Sequence, residues 1–223
     1  MKKKLIILGA SAFAQVAHAY FTEDSDYEVA AFSVERSYLK KDHFCDLPLV
    51  AFESLDQFYP PRSYEIFAAV AYSQMNRLRT RLYLSAKQKG FRPARYISSR
   101  AFVWKNVAIG EHCFIFENNT IQPFAALGNN VILWSGNHVG HHARIEDNCF
   151  ISSQVVISGF VEVGENSFLG VNVAVANNLR IGKDSWIGAG VTLTHHTKEG
   201  SLYRAEGVSA EKISALDFQR VPE

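Results

Sequence analysis

An aliphatic residue recurs at every sixth position between residues 103 and 193 of this 223-residue chain. All sixteen positions of the register hold Val, Ile or Leu: Val103, Ile109, Ile115, Ile121, Leu127, Leu133, Val139, Ile145, Ile151, Ile157, Val163, Leu169, Val175, Ile181, Ile187 and Leu193. A period of six matches neither the 3.6-residue repeat of an amphipathic helix nor the two-residue alternation of a half-buried strand. The register therefore restricts this part of the chain to a repeat architecture.

A six-residue period suits a short strand followed by a turn, repeated around a three-sided coil whose bore is filled by the aliphatic residues. Three hexapeptides close one coil, so residues eighteen apart should stack at one strand spacing, about 4.8 Å. The pattern predicts a parallel β-helix of about five coils.

The corners of such a coil need residues that tolerate positive φ. The residue three places after the aliphatic is Asn, Asp, His or Gly in twelve of the first fifteen repeats, and these are the types that adopt left-handed backbone most readily. We therefore expect left-handed corners at Asn106, His112, Asn118, Asn130, Gly136, His142, Asn148, Asn166, Asn172, Asn178, Asp184 and Gly190.

Residues 1–97 follow a different pattern, in which short apolar runs alternate with helical spacing. Residues 4–8 favour a strand, followed by a tight turn at Gly9, Ala10 and Ser11 and a helix over residues 12–20. Further strands are expected at residues 27–33 and 64–71, before a helix capped by Ser73. The sequence predicts a Rossmann-like βαβ domain over residues 1–97, and a β-helix domain with a capping tail over residues 98–223.

Composition excludes several classes of protein. A net charge of +1 gives no excess of positive charge for binding nucleic acid. The apolar run after the basic N-terminus is too short for a signal peptide, which favours a cytoplasmic protein without a membrane span. Cys113 and Cys149 share one column two coils apart, roughly 9.6 Å by strand spacing, which is beyond disulfide reach.

The repeat runs at residues 109–111, 163–166, 181–184 and 187–190, such as Ile-Gly-Lys-Asp and Ile-Gly-Ala-Gly, resemble those of bacterial hexapeptide acyltransferases. With its N-terminal domain, the chain resembles the sialic acid O-acetyltransferase and nucleotide-amino-sugar N-acetyltransferase family. The resemblance implies a left-handed coil, acetyl-CoA as acyl donor and a nucleotide-linked amino deoxysugar as acceptor. It also implies a homotrimer with active sites between subunits, acting in polysaccharide biosynthesis.

One corner of the coil carries residues that folding does not require, namely two pairs of histidines and a glycine. His141 is the expected general base, because imidazole accepts a proton near neutral pH and the surrounding stretch resembles the family's catalytic segment. The family usually has Asp or Glu next, where this chain has His142. Glu117 or a backbone carbonyl, of the same or of a neighbouring subunit, is therefore expected to orient His141. Gly159 stacks one coil away and is expected to donate its N–H to the thioester carbonyl and the oxyanion.

The resemblance also implies the ligand-binding residues. Gly159, Ala189, Lys198, Gly207 and Lys212 are expected to contact coenzyme A, with Gly207 opening a segment similar to the family's closing Gly-Val-Pro-Ala. The acceptor's nucleotide is expected at the strand ends of the first domain, where ligands of open parallel sheets bind. The residues expected there are Gly9, Ala10, Ser11, Glu35 and Ser73. Only one glycine of the dinucleotide fingerprint is present, which argues against NAD.

Trp134 and Phe150 replace polar residues of the family and suit stacking on an apolar sugar face, with core or subunit packing as the alternative. The column Phe116, Trp134, Ser152, Gly170 and Gly188 is the expected trimer face, and the corner that includes His112 is expected to be solvated. Sugar O-acetylation and non-catalytic sugar binding remain alternative functions. A zinc site is disfavoured because His112, His138 and His141 do not converge in the predicted coil.

Overall fold

The computed structural model describes residues 2–207, 209–210 and 212–220. Val208 of the predicted closing segment and residues 221–223 of the predicted second domain lie outside the described residues. The chain forms an α/β domain followed by a parallel β-helix. No helix of the described residues is long and apolar enough to cross a membrane.

The first domain contains one six-stranded sheet in the order β3-β4-β2-β1-β5-β6. All neighbouring strands are parallel except β3 and β4. The strands are β1 (Lys3–Leu8), β2 (Tyr27–Val34), β3 (His43–Phe44), β4 (Leu47–Ala51), β5 (Tyr64–Ala68) and β6 (Arg92–Pro93). The helices are α1 (Ala12–Glu23), α2 (Leu55–Phe58) and α3 (Arg77–Gln88), with 3₁₀ turns at Arg36–Tyr38 and Phe52–Ser54.

Strand β1 sits at the centre of this sheet because it is apolar on both faces. Leu5 and Ile7 join the core beneath α1, whereas Ile6 and Leu8 join the core beneath α3. Successive side chains of a strand point to opposite faces, so this one short strand contributes apolar side chains to the hydrophobic core on each face of the sheet. The predicted Rossmann-like arrangement is confirmed.

Helix α3 begins later than predicted. Gln74, Met75 and Asn76 all have positive φ, and Arg77 is the first helical residue. The prediction of Ser73 as the helix cap is therefore wrong. Asn76 is fully buried, and its amide donates to the backbone carbonyls of Asn166 and Ser167 in the coil. A contact far along the chain thus overrides the local capping preference of Ser73.

The β-helix has three faces of parallel strands, built from seven, six and five strands. The first face contains β7 (Tyr96–Ile97), β10 (Phe114–Ile115), β13 (Ile132–Leu133), β16 (Phe150–Ile151), β19 (Phe168–Leu169), β22 (Trp186–Ile187) and β24 (Leu202–Tyr203). The second contains β8 (Phe102–Val103), β11 (Thr120–Ile121), β14 (His138–Val139), β17 (Val156–Ile157), β20 (Ala174–Val175) and β23 (Thr192–Leu193). The third contains β9 (Ala108–Ile109), β12 (Ala126–Leu127), β15 (Arg144–Ile145), β18 (Glu162–Val163) and β21 (Arg180–Ile181).

Residues eighteen apart pair throughout, as predicted, for example Ile115 with Leu133. Strand β7 already pairs with β10, so the coil begins at Tyr96–Ile97 and the predicted division at residue 97 falls at the end of its first strand. At the other end, β24 pairs with β22, and a helical turn, α4 (Ala215–Phe218), follows.

The left-handed corners are confirmed from His112 to Gly190, where every sixth residue has positive φ. The prediction for Asn106 is wrong, because its φ is not positive; its side-chain oxygen instead accepts from the backbone N–H of Phe124. Three corner residues of the coil that are outside the favoured types are also left-handed: Phe124, Gln154 and Phe160.

Aliphatic side chains fill the bore of the coil. The inward Asn119 and Asn137 form a ladder in which the Asn119 side-chain oxygen accepts from the Asn137 N–H, and the Asn137 oxygen accepts from Val155. Burial raises the pKa of Cys113 and of Cys149 to about 12, so both thiols stay protonated.

The first domain packs against the first face of the coil through aromatic rings. Outward residues of this face, including Phe114 and Phe116, lie within 4.9–6.4 Å of Phe13 and Tyr20, measured between ring centroids. Phe116 is also stacked on Trp134 at 4.5 Å. The prediction that this column faces another subunit is wrong for Phe116 and Trp134, because the chain's own first domain covers them.

One corner of the coil is buried beneath α3, contrary to the expected solvated edge. Arg79 of α3 is fully buried and donates to the Asn130 side chain and to the backbone carbonyls of Asn130, Asn148 and Cys149. His112 accepts from the Ala68 N–H at 2.8 Å. Polar corner residues therefore bond to the first domain instead of water.

We expect His112 to make the protein acid-sensitive. Burial lowers the pKa of His112 from 6.5 to about 3. Between these values the unfolded chain binds a proton at this residue and the folded chain does not, so stability falls as pH falls. The limiting slope is about 1.4 kcal/mol per pH unit.

His112→Gln removes this titration and keeps a side-chain acceptor for the Ala68 N–H. Denaturant unfolding between pH 7 and pH 4 should therefore show a smaller loss of stability in the variant than in the wild type. At pH 7 the variant should be less stable than the wild type. Parallel curves for the two proteins would contradict the assignment.

Candidate active site

A cleft of about 560 Å³ opens at the carboxyl ends of β1, β2 and β5. Gly9, Ala10, Ser11, Glu35 and Ser73, all expected at a ligand site, line it together. Strand order explains the cleft, because β2 and β5 lie on opposite sides of β1 and their connections leave a crevice between them.

Gly9 and the start of α1 shape the floor of this cleft. Gly9 has φ +121°, and a Cβ at this position would lie 3.0 Å from the backbone oxygen of Ala69. Ser11 precedes α1 without a side-chain cap, and the first turn carries no acidic residue. Because the N–H groups of a helix N-terminus attract anions, this end of α1 suits a phosphate or diphosphate group.

Ser33 adds a second feature that points to a ligand. Its side chain is 1% exposed, and its hydroxyl has no hydrogen-bond partner among the described residues. An unpaired buried hydroxyl costs about 1–3 kcal/mol. Ser33 lies at the end of β2 and lines the cleft, where a ligand atom can supply the missing partner. Sequence reasoning placed this residue at the strand ends without giving it a role.

Glu35 is already engaged by a residue that sequence reasoning missed. Arg81 of α3 donates to both carboxylate oxygens of Glu35, at 2.8 and 2.9 Å. These hydrogen bonds lower the pKa of Glu35. The ion pair fixes the carboxylate at the cleft, and its remaining lone pairs can accept from a ribose hydroxyl.

The second site lies at the corner between the second and third faces of the coil. His141 and His142 are both exposed there, and their Nδ1 atoms are 3.2 Å apart. The His141 N–H donates to the side-chain oxygen of Gln122 at 3.0 Å, which fixes the backbone that carries the imidazole. His142 has φ 59°, as predicted for this corner.

Gly159 lies directly against the His141 ring. A Cβ at residue 159 would lie 2.8 Å from Cε1 and 2.9 Å from Nε2 of His141. Only glycine leaves room for the imidazole in this position. Within the part of the chain that the structure describes, no hydrogen bond uses the Gly159 N–H. A histidine and a backbone N–H without a hydrogen-bond partner among the described residues therefore lie side by side.

Glu117 does not orient His141 within one chain. It lies at another corner of the coil, where its carboxylate accepts from the Tyr20 hydroxyl at 2.8 Å. The expectation that Glu117 replaces the missing acid is wrong for a single chain, since the carboxylate is committed to the interface between the two domains.

Trp134 and Phe150 likewise belong to that interface. Phe150 is 2% exposed and packs edge-on against Tyr72 at 5.1 Å. Trp134 is half-buried between Phe13 and Phe116. The expectation that these rings form an open sugar platform is therefore wrong, and the alternative of packing holds.

The residues expected to contact coenzyme A are spread over the coil. Ala189 is exposed at the corner between the first and second faces, whereas Lys198 lies near Gly182 at the corner beneath α3. Gly207 and Lys212 are exposed in the tail. Within one chain, Gly159 is therefore the member of this set that lies beside His141. The described residues contain no group of three or more His, Cys, Asp or Glu side chains able to hold a metal ion.

Comparison with known proteins supports the repeat and the fold. The bacterial transferase hexapeptide model, of six repeats, matches residues 124–159, and the hexapeptide repeat of succinyl-transferase matches residues 160–195. No curated protein matches the chain in sequence.

Three solved structures are similar over most of the chain. PerB from Caulobacter crescentus, in complex with CoA and GDP-perosamine, is 25% identical with a TM-score of 0.79, covering 89% of this chain and 92% of that one. A mutant of perosamine N-acetyltransferase from the same organism is 24% identical with a TM-score of 0.80 and the same coverage. The acetyltransferase domain of PglB from Neisseria gonorrhoeae is 22% identical with a TM-score of 0.81, covering 90% and 96%.

The matched repeats cover the corner that carries His141 and Gly159, and the structural similarity extends over both domains. The β-helix is left-handed, as in these acetyltransferases. In its repeats and in its two-domain fold, the chain is thus similar to hexapeptide-repeat acyltransferases.

Proposed function

We propose that this protein is an acetyl-CoA-dependent N-acetyltransferase that acts on a nucleotide-linked amino deoxysugar. The contact between His141 and Gly159 carries the proposal, because it sets a general base beside a backbone donor. The cleft at the strand ends supplies a separate nucleotide site. Similar structures contain CoA and GDP-perosamine, which supports both partners.

His141 acts as the general base in this reaction. The sugar amine attacks the thioester carbonyl, and its proton passes to Nε2 of His141 as the carbon–nitrogen bond forms. The Gly159 N–H donates to the oxyanion of the tetrahedral intermediate. Collapse of the intermediate breaks the carbon–sulfur bond, and the coenzyme A thiolate receives the proton from the imidazolium. Acetyl-CoA serves as a co-substrate, and no step needs a metal.

The nucleotide occupies the cleft of the first domain. Its diphosphate lies at the N-terminus of α1 beside Gly9, Ala10 and Ser11, and the ribose lies within reach of Glu35. Ser33 gains a hydrogen bond that it lacks in the free protein, and Ser73 lies at the rim. We assign nucleotide binding to residues 1–97 and acyl transfer to residues 98–223. A cytoplasmic location fits a reaction between two cytoplasmic metabolites.

Acceptor and donor specificity test the function directly. Acetyl-CoA turnover is measured against nucleotide-linked amino sugars, their hydroxyl analogues and sialic acids. The proposal requires amide formation on an amino sugar that carries the nucleotide. Exclusive ester formation, or binding without turnover, would overturn it.

Substitutions at residues 141 and 142 test the general base. His141→Asn should lower kcat by roughly 10²- to 10⁴-fold, the usual cost of losing a general base, with the KM for acetyl-CoA nearly unchanged. His142→Asn suits the left-handed corner and should lose much less activity. If the His142 variant is the inactive one, the base is assigned one residue too early.

Gly159→Ala extends this test to the partner of the base. The added methyl forces the His141 ring aside, and a shift of about 1 Å is enough to lower kcat by roughly 10²-fold. Ser153→Ala, at the equivalent turn position of another corner, is the matched control and should retain full activity.

Ser33→Ala tests the nucleotide site. Loss of one hydrogen bond should weaken binding of the nucleotide sugar by roughly 3- to 10-fold, measured by calorimetry. Thermal stability should stay the same or rise, because the variant removes an unpaired buried hydroxyl. Unchanged affinity would place the nucleotide elsewhere.

We further propose a homotrimer with its active sites between subunits. His141 and Ala189 lie at different corners of the β-helix. A single coenzyme A therefore reaches both residues only across a subunit boundary. Phe102 and Val156, 53% and 43% exposed on the second face, offer apolar surface for the contact. Sedimentation equilibrium should give the mass of three chains, and a monomer at assay concentration would contradict shared sites.

A further inference from the structure

Three rings form a stack along the corner that carries His141. The His142 ring lies between those of Phe124 and Phe160, with centroid distances of 4.7 Å on both sides and interplanar angles of 25° and 13°. Phe160 also packs edge-on against His141 at 5.1 Å. The two Phe rings thus hold the His142 ring from both sides, and Nδ1 of His142 contacts Nδ1 of His141.

Local folding preferences disfavour this stack. Phe124 and Phe160 have φ of 65° and 59°, in the left-handed region, where an ordinary side chain costs roughly 1–2 kcal/mol. These two residues are 60% and 51% exposed, so burial recovers only part of this cost. Most other corners carry Asn, Asp or Gly, which avoid the strain. Strained and exposed aromatic residues beside a proposed catalytic base point to a role in the reaction.

The contact between the two histidines defines that role. A single N–H separates two Nδ1 atoms at 3.2 Å, so one ring donates and the other accepts. When His141 donates, its proton is on Nδ1 and its Nε2 is free to accept the proton of the amine. When His142 donates instead, His141 keeps its proton on Nε2 and is unable to act as a base there.

We propose that His142 is the positioning residue of this enzyme and that Phe124 and Phe160 clamp it for that purpose. The inference rests on the proposed role of His141 as general base. Nδ1 of His142 accepts the hydrogen bond from Nδ1 of His141 and so holds His141 in its reactive tautomer.

Substitutions at residue 142 separate this role from a purely structural one. Asp and Gly both tolerate left-handed backbone, but only Asp supplies an acceptor, because its Oδ1, like Nδ1 of histidine, is one bond beyond Cγ. His142→Asp should keep kcat within about threefold of the wild type. His142→Gly should lower kcat by about 10-fold or more, with both KM values unchanged. Unfolding temperatures should be similar for the two variants.

The clamp is tested with Phe124→Asn, because the Phe124 ring stacks on His142 and Asn suits the backbone. The unfolding temperature should stay the same or rise as strain is relieved, while kcat should fall several-fold. In the His142→Gly background the same change should have no further effect on kcat, since the clamped ring is already absent. Gln154→Asn, at a left-handed residue of another corner, is the matched control and should leave kcat unchanged.

Two outcomes would overturn the inference. One is wild-type kcat in His142→Gly, and the other is an equal loss in the Asp and Gly variants. An additive effect of Phe124→Asn in the His142→Gly background would overturn the clamp. Full activity in His141→Asn would instead refute the proposed function, so failure of the two ideas is distinguishable.

Discussion

The three-cornered register of the coil is the constraint on which the rest of this structure depends. Residues six apart lie on different corners, and residues eighteen apart stack on the same one. This register alone brings Gly159 against the ring of His141 and gives each corner its own chemistry. The aliphatic bore fixes the register, because a slip by one residue would turn the buried side chains toward solvent.

The first domain packs against the coil along one face and one corner. Aromatic residues that project from the first face meet Phe13, Tyr20 and Tyr72, and α3 buries the adjoining corner through Arg79. Arg79 also donates to the backbone carbonyl of Ala71, which lines the cleft. The cleft is therefore fixed relative to the coil by the hydrogen bonds that hold the two domains together.

Each candidate site contains a feature that is unfavourable in the free protein, and the two features differ. At the cleft, Ser33 lacks a partner that a ligand can provide. At the corner of the coil, strain is held in Phe124 and Phe160, whose rings fix an imidazole. Both features lower the stability of the free protein. The first lies where the proposed reaction needs a hydrogen-bond partner for the nucleotide, and the second lies where it needs a base in a fixed position.

The sequence by itself determined the coil, its pairing eighteen residues apart, most left-handed corners and the contact between residues 141 and 159. It succeeded because each of these follows from a short-range period. It also placed Gly9 and Glu35 at one cleft, because strand ends are marked by local turns. Only the tertiary structure decided that Trp134, Phe150 and Glu117 belong to a domain interface, that Arg81 pairs with Glu35 and that Phe124 is left-handed. These outcomes depend on which surfaces meet, and contacts between residues far apart in the chain leave no periodic pattern in the sequence.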